Sequence, residues 1–124
     1  MIKNFLLIGL GGGIGSICRY SASLLFLNKS FPVVTLLVNI AGSFIIGMVA
    51  AYALKNEWFA ANWKLFLATG ICGGFTTFSA FSLENLQLLQ EGKYLWSFFY
   101  IATSIVLGLT ATFFGYKLML LNYS

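Results

Sequence analysis

The residues able to do chemistry are few, and most gather in one segment. Gly73-Gly74-Phe75-Thr76-Thr77-Phe78-Ser79-Ala80-Phe81-Ser82-Leu83-Glu84-Asn85 sets three phenylalanines at three-residue spacing among hydroxyls and closes on a carboxylate. A phenyl ring is electropositive at its edge, so rings presented edge-on can stabilise a small anion that has shed its water, without a full charge that would hold it too tightly. The ordinary fate of Phe is packing against neighbours or lipid, and the ladder by itself fits that reading too. Adjacent glycines followed by two β-branched threonines are poor material for an unbroken helix, so the spacing predicts a break here.

What the chain lacks is as informative. It has no His and no Asp, and its acids are Glu57, Glu84 and Glu91. A protein metal cluster, a catalytic triad or an acid-base pair cannot be assembled from that inventory, so the chain is not expected to be an enzyme. Cys18 and Cys72 stand in different segments without a Cys or His neighbour, and read as small apolar packers. Nothing in their spacing demands a disulfide.

The elements that must position these residues follow from composition. The chain has 124 residues, 60% of them hydrophobic and 8% charged, with 13 Phe, 6 Tyr and 3 Trp. A soluble domain is roughly a quarter charged, and one this small buries only about two-thirds of its unfolded surface. The chain is therefore an integral membrane protein. A helix crossing the hydrocarbon needs about 20 mostly apolar residues, and uncharged runs of 25, 19 and 23 residues lie between Lys29 and Lys55, Lys64 and Glu84, and Lys93 and Lys117. With the stretch around Arg19 they give four spans, at about 4–27, 33–54, 63–89 and 95–119. The connectors Asn28–Pro32, Lys55–Asn62 and Gln90–Lys93 are short, so 1–124 reads as a single four-helix transmembrane domain.

The first span also has features of a signal peptide, with Lys3 before an apolar run and Ser21-Ala22-Ser23 after it. Its glycines are unlike a leucine-rich core of that kind, and cleavage would strand three spans. Gly11, Gly13 and Ser16 approach a dinucleotide-binding fingerprint, but no strand precedes them and no acid follows about 20 residues on. Small residues four apart (Gly9 and Gly13, Gly11 and Gly15, Ser43 and Gly47, Gly70 and Gly74, Ala111 and Gly115) read better as faces where helices approach closely.

Several residues do not belong in lipid. Arg19 costs roughly 2.5–3.5 kcal/mol on the insertion scale, so it either faces a water-filled cavity or snorkels to the nearer interface. Asn39 carries two N–H donors that hydrocarbon would leave unsatisfied, and should point inward. Ser104, Gly108 and Thr112 fall on one helix face, as back-bonded hydroxyls or as a polar track lining a pore. Glu84 reads as an acid near the interface with a solvated capping role as its plain alternative. Broken backbone around Gly73–Thr77 needs cover from protein or a cavity, and the carbonyls it frees suit a cation such as sodium. The basic residues divide four against two, Lys3, Lys55, Lys64 and Lys117 against Lys29 and Lys93. That bias is weak enough to permit insertion in both orientations and hence an antiparallel homodimer.

Three runs carry a family resemblance: GGGIGSICRY (11–20), TLLVNIAGSFIIG (35–47) and, most specifically, GICGGFTTFSAFSLE (70–84). They resemble the signatures of the Fluc or CrcB fluoride channels, in the right order and across all four spans. The resemblance implies an all-α membrane protein with four transmembrane helices per chain and a break in the third. It further implies an antiparallel dual-topology homodimer in the cytoplasmic membrane of a prokaryote, with two narrow fluoride pores and a central structural Na+. On matching positions, Phe78 and Phe81 resemble the pore phenylalanines and Asn39 the pore asparagine. Thr35, Ser79, Ser104 and Thr112 would form the hydroxyl track, with Arg19 in the vestibule and Glu84 at the pore end. Backbone carbonyls of Gly73 and Thr76 from both protomers would hold sodium. Ala80 and Gly108 depart from the pattern, standing where threonine and serine are common.

Such a channel makes physical sense of the composition. Fluoride enters cells as neutral HF, dissociates near neutrality and is trapped. A negative-inside potential, worth about 2.3 kcal/mol per charge per 100 mV, can drive it out through a passive pore. The competing class is a small multidrug-type proton antiporter, which needs an intramembrane carboxylate that the first two spans lack. A non-transporting packing subunit would explain the glycines but leaves Asn39 and the hydroxyls without purpose.

Overall fold

The computed structural model describes residues 1–25 and 32–123. Helix α1 covers Ile2–Leu24, α2 Val33–Lys55 and α3 Glu57–Asn62. A π-helical segment, Leu65–Cys72, runs directly into α4, Gly73–Phe75; α5 covers Phe78–Gln90 and α6 Tyr94–Tyr123. Four stretches are long and apolar enough to cross a bilayer: Ile2–Leu24, Val33–Lys55, Leu65–Gln90 and Tyr94–Asn122. No strand occurs among the described residues, and the molecule is an all-helical, multi-pass membrane protein. Side chains such as Phe5, Ile17, Leu109 and Phe114 are exposed around the bundle, as they must be where the surrounding solvent is hydrocarbon.

The span limits differ from the sequence expectation at the ends. Positions 26 and 27, and the connector from Asn28 to Phe31 with Lys29, lie outside the described residues. The fourth span begins at Tyr94 and runs on to Asn122, within helix α6. The connector after Lys55 is not open loop but the short helix α3: the Asn56 side chain accepts from the Phe59 N–H at 2.9 Å, and Glu57 sits in the first turn. A cap and an acid at the positive end of the helix dipole suffice to start a turn. After α5 the chain reverses through Gly92, whose φ of 76° only glycine adopts freely. The Lys93 and Gly92 amides donate to the Leu88 and Leu89 carbonyls at 2.8 and 3.1 Å, which closes the helix end.

Close approaches set the register. A Cβ added at Gly47 would overlap the Thr112 carbonyl, one at Gly115 the Phe44 carbonyl, and Gly108 lies beside Ser43, so α2 and α6 run parallel. Gly11 faces Phe66 and Gly70 while Gly15 faces Ile71 and Phe75, which makes α1 parallel to the third span. Lys3 Nζ donates to Asn62 Oδ1 at 3.1 Å in the same register. Contacts of Thr35 with Glu84 and Asn39 with Thr77 set α2 antiparallel to the third span. Gly9 and Gly13 do not share in this: a Cβ at either meets nothing within 4 Å. Residues two apart on a helix lie about 200° around it, so the face that buries Gly11 and Gly15 turns Gly9 and Gly13 away. Both cysteines are free thiols, Cys18 exposed and Cys72 buried.

Candidate functional site

Helical backbone stops at Phe75. Thr76 (φ −85°, ψ 158°) and Thr77 (φ −152°, ψ 121°) are extended, and α5 begins at Phe78. Local chemistry favours this. The Thr76 hydroxyl donates back to the Cys72 carbonyl at 2.8 Å, and Thr77 Oγ1 caps the new helix by accepting from the Ala80 N–H at 3.0 Å. Asn39 reaches across from α2 and clasps Thr77: Oδ1 accepts its N–H at 2.8 Å and Nδ2 donates to its carbonyl at 3.2 Å. In a continuous helix that N–H would meet the Gly73 carbonyl. Asn39 thus points inward as its donors require, and the structure adds a backbone-holding role that its sequence context did not suggest.

The extended pair separates two clefts. The first, about 330 Å³, is lined by Asn39, Ser43, Cys72, Gly73, Thr76 and Phe78, among others. At Gly73 an added Cβ would find only the Ala68 carbonyl, 3.9 Å away. The second, about 250 Å³, brings Arg19, Tyr20, Thr35, Thr77, Ala80 and Glu84 together. There Arg19 Nε donates to the Gly74 carbonyl at 3.2 Å, so the guanidinium is anchored to the third span on the cavity side. Glu84 is no solvated cap. Its side chain is part-buried, with Thr35 Oγ1 donating to Oε2 and the Tyr100 hydroxyl to Oε1, both at 2.7 Å. Each carboxylate oxygen therefore accepts from a neutral hydroxyl donor.

Phe78, Phe81 and Tyr100 form a row of rings. Phe78 and Phe81 have centroids 5.6 Å apart, and Phe81 meets Tyr100 edge-to-face at 5.0 Å. Phe78 is 77% exposed, whereas Tyr100 is fully buried. The hydroxyls divide. Those of Thr35 and Thr112 are committed to protein acceptors, the latter to the Gly108 carbonyl at 3.2 Å. Ser79 shares a hydrogen bond with Thr77 at 3.1 Å. Ser104 Oγ is buried with no partner among the described residues. Thr112 lies about 18 Å along α6 from Tyr100 at 1.5 Å per residue, level with Gly47, so it is remote from the Phe81 and Glu84 end.

The sequence reading passed over Tyr100 and the Asn85–Ser97 pair. Tyr100 extends the Ser104, Gly108, Thr112 stripe by one turn, a signal that was available. Buried Ser97 donates to Asn85 Oδ1 at 2.8 Å while Asn85 Nδ2 donates to the Phe81 carbonyl at 2.9 Å, tying α6 to the backbone of the ring row.

Polar groups thus converge on the non-helical step at Thr76–Thr77 inside a small helical bundle, a place where intramembrane polar residues mark function. The chain belongs to the CrcB family: the family described as CrcB-like protein, Camphor Resistance (CrcB) matches residues 6–116. A relative from Azobacteroides pseudotrichonymphae, named Fluoride-specific ion channel FluC, is 47% identical over 95% of this chain and 97% of its own. Proteins of the same name from Flavobacterium psychrophilum (46% identical; 92% of this chain, 94% of its own) and Pyrococcus abyssi (41%; 94% and 96%) are similar over nearly the full length. These relatives are channels, not enzymes.

Proposed function

We propose that this chain is a fluoride-selective passive channel that exports cytoplasmic fluoride across the plasma membrane and so relieves its toxicity. The observation that carries the reading is 41–47% identity, over more than nine-tenths of the chain, to relatives named as fluoride-specific channels. The site geometry supports it. Fluoride is small and strongly hydrated, so a selective path must replace its water with many weak donors, since strong fixed cations would pass chloride as well. Phe78 and Phe81 offer ring edges. Asn39 Nδ2 has a second hydrogen beyond the one given to Thr77, and Ser104 offers a buried hydroxyl. Ser79 adds a further hydroxyl, while Thr35 and Thr112 enter the track only by releasing their present acceptors. Arg19 and Glu84 form the vestibule and pore end.

The pore is completed by a second copy in an antiparallel, dual-topology homodimer. Exposure of Phe78 and open space at Gly73 support a partner on that face. The structural Na+ implied by the family would be held by Gly73 and Thr76 carbonyls of both protomers, where it would supply a fixed positive centre between them. The carbonyl oxygens fit: the N–H due to the Gly73 carbonyl is spent on Asn39, so Thr77 does not tie up that oxygen. Neutral carbonyl oxygens at a helix interruption suit a hard monovalent cation.

The test is fluoride efflux from liposomes containing purified protein, read by a fluoride electrode, with potassium and valinomycin setting the potential and chloride run in parallel. Rapid fluoride release without chloride release or a proton gradient is expected. Folded protein that releases no fluoride would bring the packing-subunit reading forward.

A further inference from the structure

We infer that the end of the bundle carrying α3 is a docking surface for anionic phospholipid headgroups. The parallel registers of α1 with the third span and of α2 with α6 bring Lys3, Lys55, Lys64 and Lys117 to the same end, and all four are exposed. The described acid there is Glu57. The surface is built rather than loose. Lys3 Nζ is held by Asn62 Oδ1 at 3.1 Å, and Asn62 Nδ2 donates to the Trp58 carbonyl at 2.8 Å. Asn56 caps α3, and the Tyr52 and Phe59 rings meet edge-on with centroids 4.5 Å apart.

Trp58 and Trp63 flank this platform, 65% and 45% exposed. Indoles placed where apolar spans end favour the headgroup boundary, so the lysines beside them lie at phosphate depth. Among the described residues at the opposite end, Lys93 is paired with Glu91 at 3.5 Å. A cationic platform at headgroup depth, fringed by indoles, matches a lipid of net negative headgroup and not a zwitterionic one. Each lysine near such a surface strengthens association about fivefold. The inference rests on the membrane-spanning architecture and stands or falls separately from fluoride conduction.

Trp96 is the remaining tryptophan, so a W96F background reports on Trp58 and Trp63 alone. In vesicles of phosphatidylcholine, brominated phosphatidylglycerol should quench these indoles at several-fold lower mole fraction than brominated phosphatidylcholine. K3Q/K55Q/K64Q should bring the two curves together, and K3R/K55R/K64R should keep them apart. Equal quenching by both lipids, or a preference that survives the glutamine variant, overturns the inference. Phosphatidylglycerol retained by the otherwise unaltered protein and by the glutamine variant, counted by native mass spectrometry, repeats the test without W96F.

Discussion

Asn39 separates two things the site could be doing, because it makes both hydrogen bonds to one backbone unit. Asn39→Ala removes the acceptor of the Thr77 N–H and the donor to its carbonyl. Two lost bonds and two stranded backbone groups should cost about 2–4 kcal/mol of stability. Asn39→Asp keeps the acceptor for the Thr77 N–H but sets a carboxylate oxygen against the Thr77 carbonyl, so its stability loss should be at least as large. Its charge acts differently. At about 4 Å and an effective dielectric near 20, a carboxylate opposes a passing anion by about 4 kcal/mol, and by about half that when solvent screens a half-buried group. Fluoride efflux of folded, reconstituted protein should then fall about 30-fold or more, below that of Asn39→Ala. Liposome efflux alongside thermal unfolding in detergent gives both rankings. Efflux of folded Asn39→Asp equal to or above that of Asn39→Ala would refute the placement of the amide against the ion and leave it as a backbone clasp.

Phe78→Ile should suppress fluoride flux with little change in stability, because the ring is mostly exposed in the protomer; Phe81→Ile should suppress flux and also cost about 1 kcal/mol from its contact with Tyr100. Unchanged flux in both would reduce the ring row to packing. Thr35→Val and Tyr100→Phe each remove one donor from Glu84, at about 1.5–3 kcal/mol apiece, and the double variant should lose more than the sum, as a thermal-unfolding cycle would reveal. Gly47→Ala should block α2 from meeting α6, lowering the yield of folded protein, while Gly9→Ala should be tolerated. A Cβ at Gly73 has room within the protomer, so Gly73→Ala should leave far-UV circular dichroism unchanged while size-exclusion shows loss of the proposed dimer; an intact dimer would count against a partner and its cation at that face.

The spans were legible because charges are so few that their positions alone bracket the hydrocarbon. The extended pair Thr76–Thr77 lies within the segment that residue types single out, but Gly73 and Gly74, of the type least suited to helix there, are helical. Helix α3 was not, because a six-residue helix started by Asn56 has no room for a periodic pattern. Nor was the π-helical geometry of Leu65–Cys72, which has no distinguishing composition. The partners of Glu84 come from 49 residues before it and 16 after it, distances at which spacing within one helix says nothing. Among the glycines, periodicity offered two equivalent pairs in α1, and only the position of the third span decides for Gly11 and Gly15 over Gly9 and Gly13.

The electrostatics of the second cleft bear on how an anion could both enter and leave. Arg19 and Glu84 line it together, yet among the described residues the ion pair within 4 Å is Lys93 with Glu91, not these two. Arg19 is instead held by a carbonyl of the interrupted span, and Glu84 by two hydroxyls. Had they paired directly, neither would present a field to an ion; had either stood alone, the cleft would trap or repel an anion. On the proposed channel reading, opposite charges held apart by neutral partners would leave the cleft only weakly attractive to an anion, and conduction needs a site attractive enough to enter and weak enough to release. The Thr35 and Tyr100 hydroxyls hold the Glu84 side chain in place, so removing them would free it to turn toward Arg19 and close that separation.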